Sequence, residues 1–240
     1  MDVKYVNKVL IIIPVINEMK NLTELIPNIY SLLPSAHILI IDDSSTDGTE
    51  SYCANKRVEY PEQFFYKFRD SKQGIGSAHI EGIKFAIMKK YEILISMDGD
   101  KTHDPVYLIA LLDSFKSNNS LDLIIGSRFL PQSSIIGWQY RRKILTKTGH
   151  LFTQVKFRLP FDMSSGLRLY KVSKIPKGLT LEQKFIGYDF FPRSLIIYNE
   201  AQLSIGEVPV TLYPRLYGES KLTLIQMVKS FWRTFFNKVK

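Results

Sequence analysis

The chain runs to 240 residues, 45% hydrophobic and 23% charged, an ordinary globular composition with enough apolar material for one large packed domain. Its single cysteine, Cys53, excludes an internal disulfide framework and fits a reducing compartment, and no run approaches the ~18 apolar residues of a membrane-crossing helix. A formal net charge of +9 calls for an anionic partner, with nucleic acid, acidic lipid and a phosphorylated substrate all eligible.

The opening residues hold one short apolar run, interrupted by Pro14, that reads as a buried strand and not as a signal peptide. KVLIIIP (8–14) is β-branched and apolar throughout, as a strand covered on both faces should be. NEMKNLTELIPNIYSLL then spaces Leu22, Leu25, Ile26 and Ile29 at helical intervals. HILIIDD is a second strand, STDGTESYCANK a capped turn entering a helix, and EQFFYKFRD a third strand. GIGSAHIEGIKFAIMKK reads as a helix entered through glycines, YEILISMDGD as a fourth strand, VYLIALLDSFKS as a helix and LDLIIGSRF as a fifth strand. Beyond residue 130, RRKILTKTGHLFTQVKF is a basic helix, SSGLRLYKVS a turn into a strand, and GYDFFPRSLIIYNE a helix beyond Pro192. LSIGEVPVTLYPR is a strand and loop, and LTLIQMVKSFWRTFFNKVK an amphipathic terminal helix. The β-α-β-α order predicts an α/β sheet of mainly parallel strands, whose ligands bind at the carboxyl ends. Asp42, Asp43, Asp98, Asp100 and Arg128 all fall there.

Asp98 and Asp100, separated by Gly99, share a strand face and would repel unless something positive lies between them. A hard divalent cation wants oxygen ligands, and Mg²⁺ or Mn²⁺ commonly bridges one or two carboxylates to substrate phosphates. Gly99 would let a ligand approach the backbone closely. Against this stands ordinary Asp-Gly turn chemistry, which the preceding strand and the following THDP helix entry disfavour. In IDDSSTDGT, capping accounts for Asp47 but not for two successive charges at Asp42 and Asp43, which suit hydrogen bonding to a ribose or nucleobase. QGIGSA lacks the spacing of a dinucleotide fingerprint or a P-loop. Arg128, just past a strand, could meet a diphosphate through two donors, and Arg215 and Lys221 flank Gly218 in a basic loop suited to closing over a charged leaving group. His103 is not assigned to catalysis, and zinc spacing is absent.

Together these segments resemble the inverting GT-A glycosyltransferases, and within them the polyprenol-phosphate (dolichol-phosphate) mannosyltransferases. The resemblance runs in order from VLIIIPVINEMKNL through IDDSSTDGT, GIGSA, SMDGDKTHDP and IIGSRF to SSGLRLY and EVPVTLYPRLYGESKL. It implies a Rossmann-like GT-A domain over 1–220 and an amphipathic helix over 221–240. It further implies transfer of a hexose, mannose from GDP-mannose first, to the phosphate of a polyprenyl or dolichyl phosphate, with Mg²⁺ or Mn²⁺ as cofactor. By position, Pro14, Ile16, Glu18, Asp42 and Asp43 would bind the nucleoside. Asp98 and Asp100, helped by Thr102, would hold the metal against the diphosphate. Arg128, Arg215 and Lys221 would grip phosphates, and Ser165 and Arg168 would lie near the acceptor phosphate. The sequence departs from many relatives at Ile16, Gly99, Lys101 and Arg193.

A phosphomonoester is largely ionised at neutral pH, with a second pKa of about 6, so such an acceptor needs no general base; none is evident in the sequence. The terminal segment carries Lys229, Arg233, Lys238 and Lys240 beside Phe231, Trp232, Phe235 and Phe236, the composition of an interfacial helix, although capping of the core would also explain it. A cytoplasmic protein peripherally bound to a membrane is therefore expected, with room for a separate membrane-anchoring partner protein. Two alternatives remain. One is a related transferase using UDP-glucose or UDP-GlcNAc with a polyprenyl-phosphate or glycan acceptor. The other is a non-catalytic nucleotide- or nucleic-acid-binding protein, against which the acids at the strand ends argue, because they would repel phosphate backbones.

Overall fold

The computed structural model describes residues 9–138, 140–181, 186–218, 229–230 and 232–234. In chain order the elements are β1 (Val9–Val15), α1 (Met19–Leu32), β2 (His37–Asp42), α2 (Thr49–Glu59), β3 (Phe64–Phe68), α3 (Ile75–Met88), β4 (Ile93–Ser96) and α4 (Val106–Ser117). They continue with β5 (Leu123–Ser127), β6 (Ser134–Ile135), α5 (Tyr140–Phe157), β7 (Arg168–Lys171), α6 (Lys177–Leu181), α7 (Phe190–Glu200), β8 (Ile205–Pro209) and β9 (Thr211–Leu212). The main sheet has the order β3-β2-β1-β4-β7-β5-β8, and every pairing is parallel except those of β7, which runs antiparallel between β4 and β5.

The unbroken apolar run of β1 follows from burial on both faces. Val9, Ile11, Ile13 and Val15 pack with Leu22, Leu25, Ile26 and Ile29 of α1 and with Leu108, Leu111 and Phe115 of α4. Leu10 and Ile12 point the other way, to Ala78, Ile83 and Ala86 of α3 and Phe190 and Leu195 of α7. Pro14 lies two residues past the last β1–β4 pair, Ile12↔Ser96, so its missing N–H costs that ladder nothing. The helix expected beyond Pro192 begins earlier, at Phe190, because a proline in the first turn sacrifices only a donor that lacks an intrahelical partner anyway.

Strand order reverses at β1, whose neighbours are β2 on one side and β4 on the other. The loops after β1 and β4 diverge there and open a crevice, the usual ligand position in such sheets. The terminal helix expected over 221–240 lies mostly outside the described residues, of which 229–230 and 232–234 are helical, and Lys221 lies outside them altogether.

Candidate active site

The loop after β4 delivers the paired acids to this crevice. Asp98 is half-buried, and Asp100 is 6% exposed. Thr102 donates its amide (3.0 Å) and hydroxyl (2.7 Å) to Asp100 Oδ1, which fixes the carboxylate plane. Arg215 reaches in from the loop after β9, with Nη2 2.7 Å from Asp100 Oδ2 and Nη1 3.8 Å from Glu18 Oε1. Burial and the neighbouring Asp100 push the Asp98 carboxyl up to about 7, while Arg215 and Arg128 pull it down. Tyr188, just ahead of α7, sits in the same field: burial raises its phenol to about 12, with Asp98 adding to the shift.

This loop is braced from the far side of the chain. Thr102 O accepts the Tyr213 amide, and His103 forms an antiparallel bridge with Leu212, so the arm that bears Arg215 starts from the loop of Asp98 and Asp100 itself. Asn21 of α1 donates to Glu18 and to Tyr217 O, which lays the same arm across α1. Glu18, expected at the nucleoside, joins Asp100 as a partner of Arg215 in this structure.

Two glycines are dictated by packing here. A Cβ at Gly99 would lie 2.7 Å from Val15 Cγ1, so packing on the core side of the loop is itself a reason for glycine there, beside the ligand approach expected from the sequence. A Cβ at Gly166 would lie 2.9 Å from Asp98 Oδ1, so Gly166 forms a wall against that carboxylate.

The adjacent acids after β2 separate into two roles. Asp43 accepts the Gln73 (2.7 Å) and Gly74 (2.9 Å) amides and pairs with the buried Arg69 at 3.2 Å. Its carboxylate thus holds the loop into α3 in place. Asp42 accepts the Ser45 amide at 2.7 Å through Oδ1, whereas its buried Oδ2 has no hydrogen-bond partner among the described residues. Burial raises its pKa, with the Asp47 and Asp43 charges adding to the shift. The neighbouring loops are locked together: Asn17 N donates to Ser45 Oγ and Thr46 N to Asn17 Oδ1, each at 2.7 Å. Asp47 accepts the Thr49 amide at the start of α2 and the Met19 amide at the start of α1, but the N-cap of α2 is Gly48, so Asp47 tethers the turn ahead of the helix and is not the cap expected from the sequence. Pro14 and Ile16, both half-buried, stand at the carboxyl end of β1 beside these loops.

Arg128 is close enough for its charge to pull Asp98 down and is clamped by a residue not foreseen in the sequence. Its Nε and Nη2 each lie 2.7 Å from the fully buried Asp162, and Nη2 also donates to Ser164 Oγ. Burial alone would raise Asp162, but the Arg128 charge and hydrogen bonds hold it down at about 2. The turn residues of DMSSG were the available signal for this clamp. Arg168 is fully buried, and donates to Ser165 O (2.8 Å), Phe191 O (3.0 Å), Met163 O (3.1 Å) and Ser194 Oγ (2.6 Å). With its donors committed inward, it shapes the loop at 163–166 that carries Ser164. Ser165 is likewise buried, its Oγ accepting the Leu167 amide, and the exposed serine beside Arg128 is Ser164.

The carboxylates of Asp98 and Asp100 offer oxygens at the head of the crevice, with Thr102 orienting Asp100 and the Arg215 guanidinium already drawn onto it. Hard oxygens, with repulsion expressed in the raised Asp98, fit Mg²⁺ or Mn²⁺ and not a thiophilic metal.

Known proteins share this sequence and architecture. Residues 10–179 match the family described as Glycosyl transferase family 2. The chain is 31% identical over 222 residues to polyprenol monophosphomannose synthase of Mycolicibacterium smegmatis, across 92% of this chain and 83% of that one. It is 31% identical over 220 residues to undecaprenyl-phosphate mannosyltransferase of Micrococcus luteus, across 90% and 88% respectively. Among solved structures, glucosyl-3-phosphoglycerate synthase of Mycobacterium tuberculosis with Mn²⁺, uridine-diphosphate and glucosyl-3-phosphoglycerate aligns with a TM-score of 0.68 at 15% identity, over 97% of this chain and 78% of that one. Its complex with Mg²⁺ and uridine-diphosphate gives 0.66 at 14%, over 97% and 81%. That likeness is one of fold, and the fold is the GT-A arrangement expected from the sequence. The chain belongs to glycosyl transferase family 2 and is a glycosyltransferase.

Proposed function

We propose that this enzyme transfers mannose from GDP-mannose to the phosphate of a polyprenyl phosphate, with inversion at the anomeric carbon. The observation that carries this reading is the acid pair Asp98 and Asp100 at the sheet's switch point, facing Arg215, in a chain whose 31%-identical relatives are named for mannosyl transfer to polyprenol phosphates. A Mg²⁺ or Mn²⁺ ion held by Asp98 and Asp100, with Thr102 orienting the second carboxylate, would neutralise charge on the departing diphosphate.

The protein's own groups divide the remaining work. Asp42 Oδ2, buried and unpartnered, is suited to accept a hydrogen bond from the nucleoside. Arg215 leaves Asp100 to meet the diphosphate, with Lys221, which follows it in the sequence, as a second cation. Arg128, held rigid by Asp162 and flanked by Ser164, presents positive charge within reach of Asp98, where an acceptor phosphate would align for in-line attack. The acceptor is already ionised at neutral pH, so the site needs no base.

A membrane-borne acceptor also gives α5 a purpose. Tyr140, Ile144, Leu151, Phe152 and Val155 are exposed on this helix beside Lys143, Lys147 and Lys156, and no acid occurs between Asp122 and Asp162. Exposed apolar groups among cations suit the interface of an anionic bilayer. Among the described residues no helix is long and apolar enough to cross one. The test is a screen of radiolabelled GDP-mannose, UDP-glucose and UDP-GlcNAc against polyprenyl phosphate with Mn²⁺. Lipid-extractable label from GDP-mannose is expected, and no lipid-extractable label from any donor would overturn the reading.

A further inference from the structure

One buried polar side chain at the crevice has no task in this mechanism. His103 is 3% exposed, neither of its ring nitrogens has a hydrogen-bond partner among the described residues, and its Nδ1 lies 3.9 Å from Asp98 Oδ2. Buried polar atoms are nearly always satisfied, so an imidazole orphaned at both nitrogens points to a bond formed in another state of the site.

The surroundings identify that bond. The His103 backbone is fixed by its bridge to Leu212, by the Tyr213 amide on Thr102 O, and by the Asp104 carboxylate accepting the Val106 amide at the start of α4. The His103 backbone is therefore anchored beside the Asp98 carboxylate. Gly166 backs the carboxylate, a Cβ there falling 2.9 Å from Oδ1 and 3.2 Å from Oδ2, and the nearby Asp100 charge repels it. Among the described residues no group of three His, Cys, Asp or Glu is arranged to hold a metal, so His103 does not complete such a group with Asp98 and Asp100.

We propose that His103 is a positioning residue for the metal site: its Nδ1–H donates to Asp98 Oδ2 once a cation is bound, leaving Oδ1 to face the cation. The inference rests on the reading of Asp98 and Asp100 as metal ligands. It inverts the common pattern in which a ligating histidine is oriented by a carboxylate, since here a ligating carboxylate is oriented by a histidine.

The test measures Mn²⁺ affinity by calorimetry, with neither donor nor acceptor, on the parent chain and on Asp98→Asn, His103→Asn and His103→Leu. His103→Leu should weaken binding about tenfold or more, the usual cost of losing such a supporting bond, while His103→Asn, whose amide N–H can replace Nδ1–H, stays within about threefold. Unchanged affinity in Asp98→Asn would overturn the metal reading itself. Lost affinity in Asp98→Asn with parental affinity in His103→Leu would overturn the role of His103 alone, as would equal losses in His103→Asn and His103→Leu. If His103→Leu does not fold, nitrogen-15 spectra of histidine-labelled parent protein decide. A protonated Nδ1 at His103 with Mg²⁺ present supports the assignment, and an Nε2–H tautomer refutes it.

Discussion

Replacing Asp162 by asparagine keeps the residue's shape and removes the charge that holds Arg128. The carboxylate is fully buried, the guanidinium is 10% exposed, and the two are joined by paired 2.7 Å contacts. Lowering of the carboxyl from 3.8 to about 2 corresponds to roughly 2 kcal/mol of stability at neutral pH. The guanidinium left behind without its counter-ion brings the expected loss to about 3 kcal/mol, or a melting temperature lower by roughly 10 °C for a chain of this size. The folded pKa is depressed, so the contribution is fully present above the unfolded value near 4 and disappears as pH falls through about 2. Melting followed by circular dichroism should therefore separate parent and variant by the full amount from pH 5 to 8 and bring them together near pH 2. A variant that melts within about 2 °C of the parent at pH 7, or a gap that persists undiminished at pH 2, would refute the clamp.

Three further outcomes follow from the same geometry. Arg215→Ala removes the cation resting on Asp100, so Mn²⁺ affinity without donor should rise about fivefold while transfer falls about a hundredfold; parental values in both calorimetry and turnover would contradict the arrangement. Asp98 has a raised folded pKa of about 7, and its protonated form cannot take a cation, so Mn²⁺ affinity should fall roughly tenfold between pH 8 and pH 6; a flat profile would refute it. Arg168→Lys cannot reproduce four converging hydrogen bonds in a fully buried site, and should cost about 3 kcal/mol or more in urea denaturation; a fully stable variant with impaired acceptor binding would return Arg168 to the phosphate.

The sheet was legible because helix and strand periods alternate cleanly through residue 127, and because apolar runs such as VLIIIPV leave no polar face. Less legible was β7: its apolar residues mark a strand, but its antiparallel insertion between β4 and β5 depends on contacts far along the chain. At the site, sequence order placed Asp98, Asp100 and Arg128 at strand ends, and Arg215 on a loop that the fold carries to Asp100. It could not separate Asp42 from Asp43, since adjacent carboxylates at one strand end differ only in which loop amides reach them. Arg168 was ambiguous for a similar reason: an arginine beside a serine-glycine turn suits a phosphate equally well as a cluster of buried carbonyls. Asp162 escaped notice because a lone acid in a turn carries no periodicity.

The most direct test of the account is calorimetry of GDP binding to parent and Asp100→Ala protein, with Mn²⁺ and with EDTA. The account predicts that the parent binds GDP only with Mn²⁺, and that Asp100→Ala, melting as the parent does, binds it in neither condition. Equal GDP affinity for both proteins, or binding by the parent that survives EDTA, would contradict a cation held by Asp98 and Asp100 as the anchor of the donor.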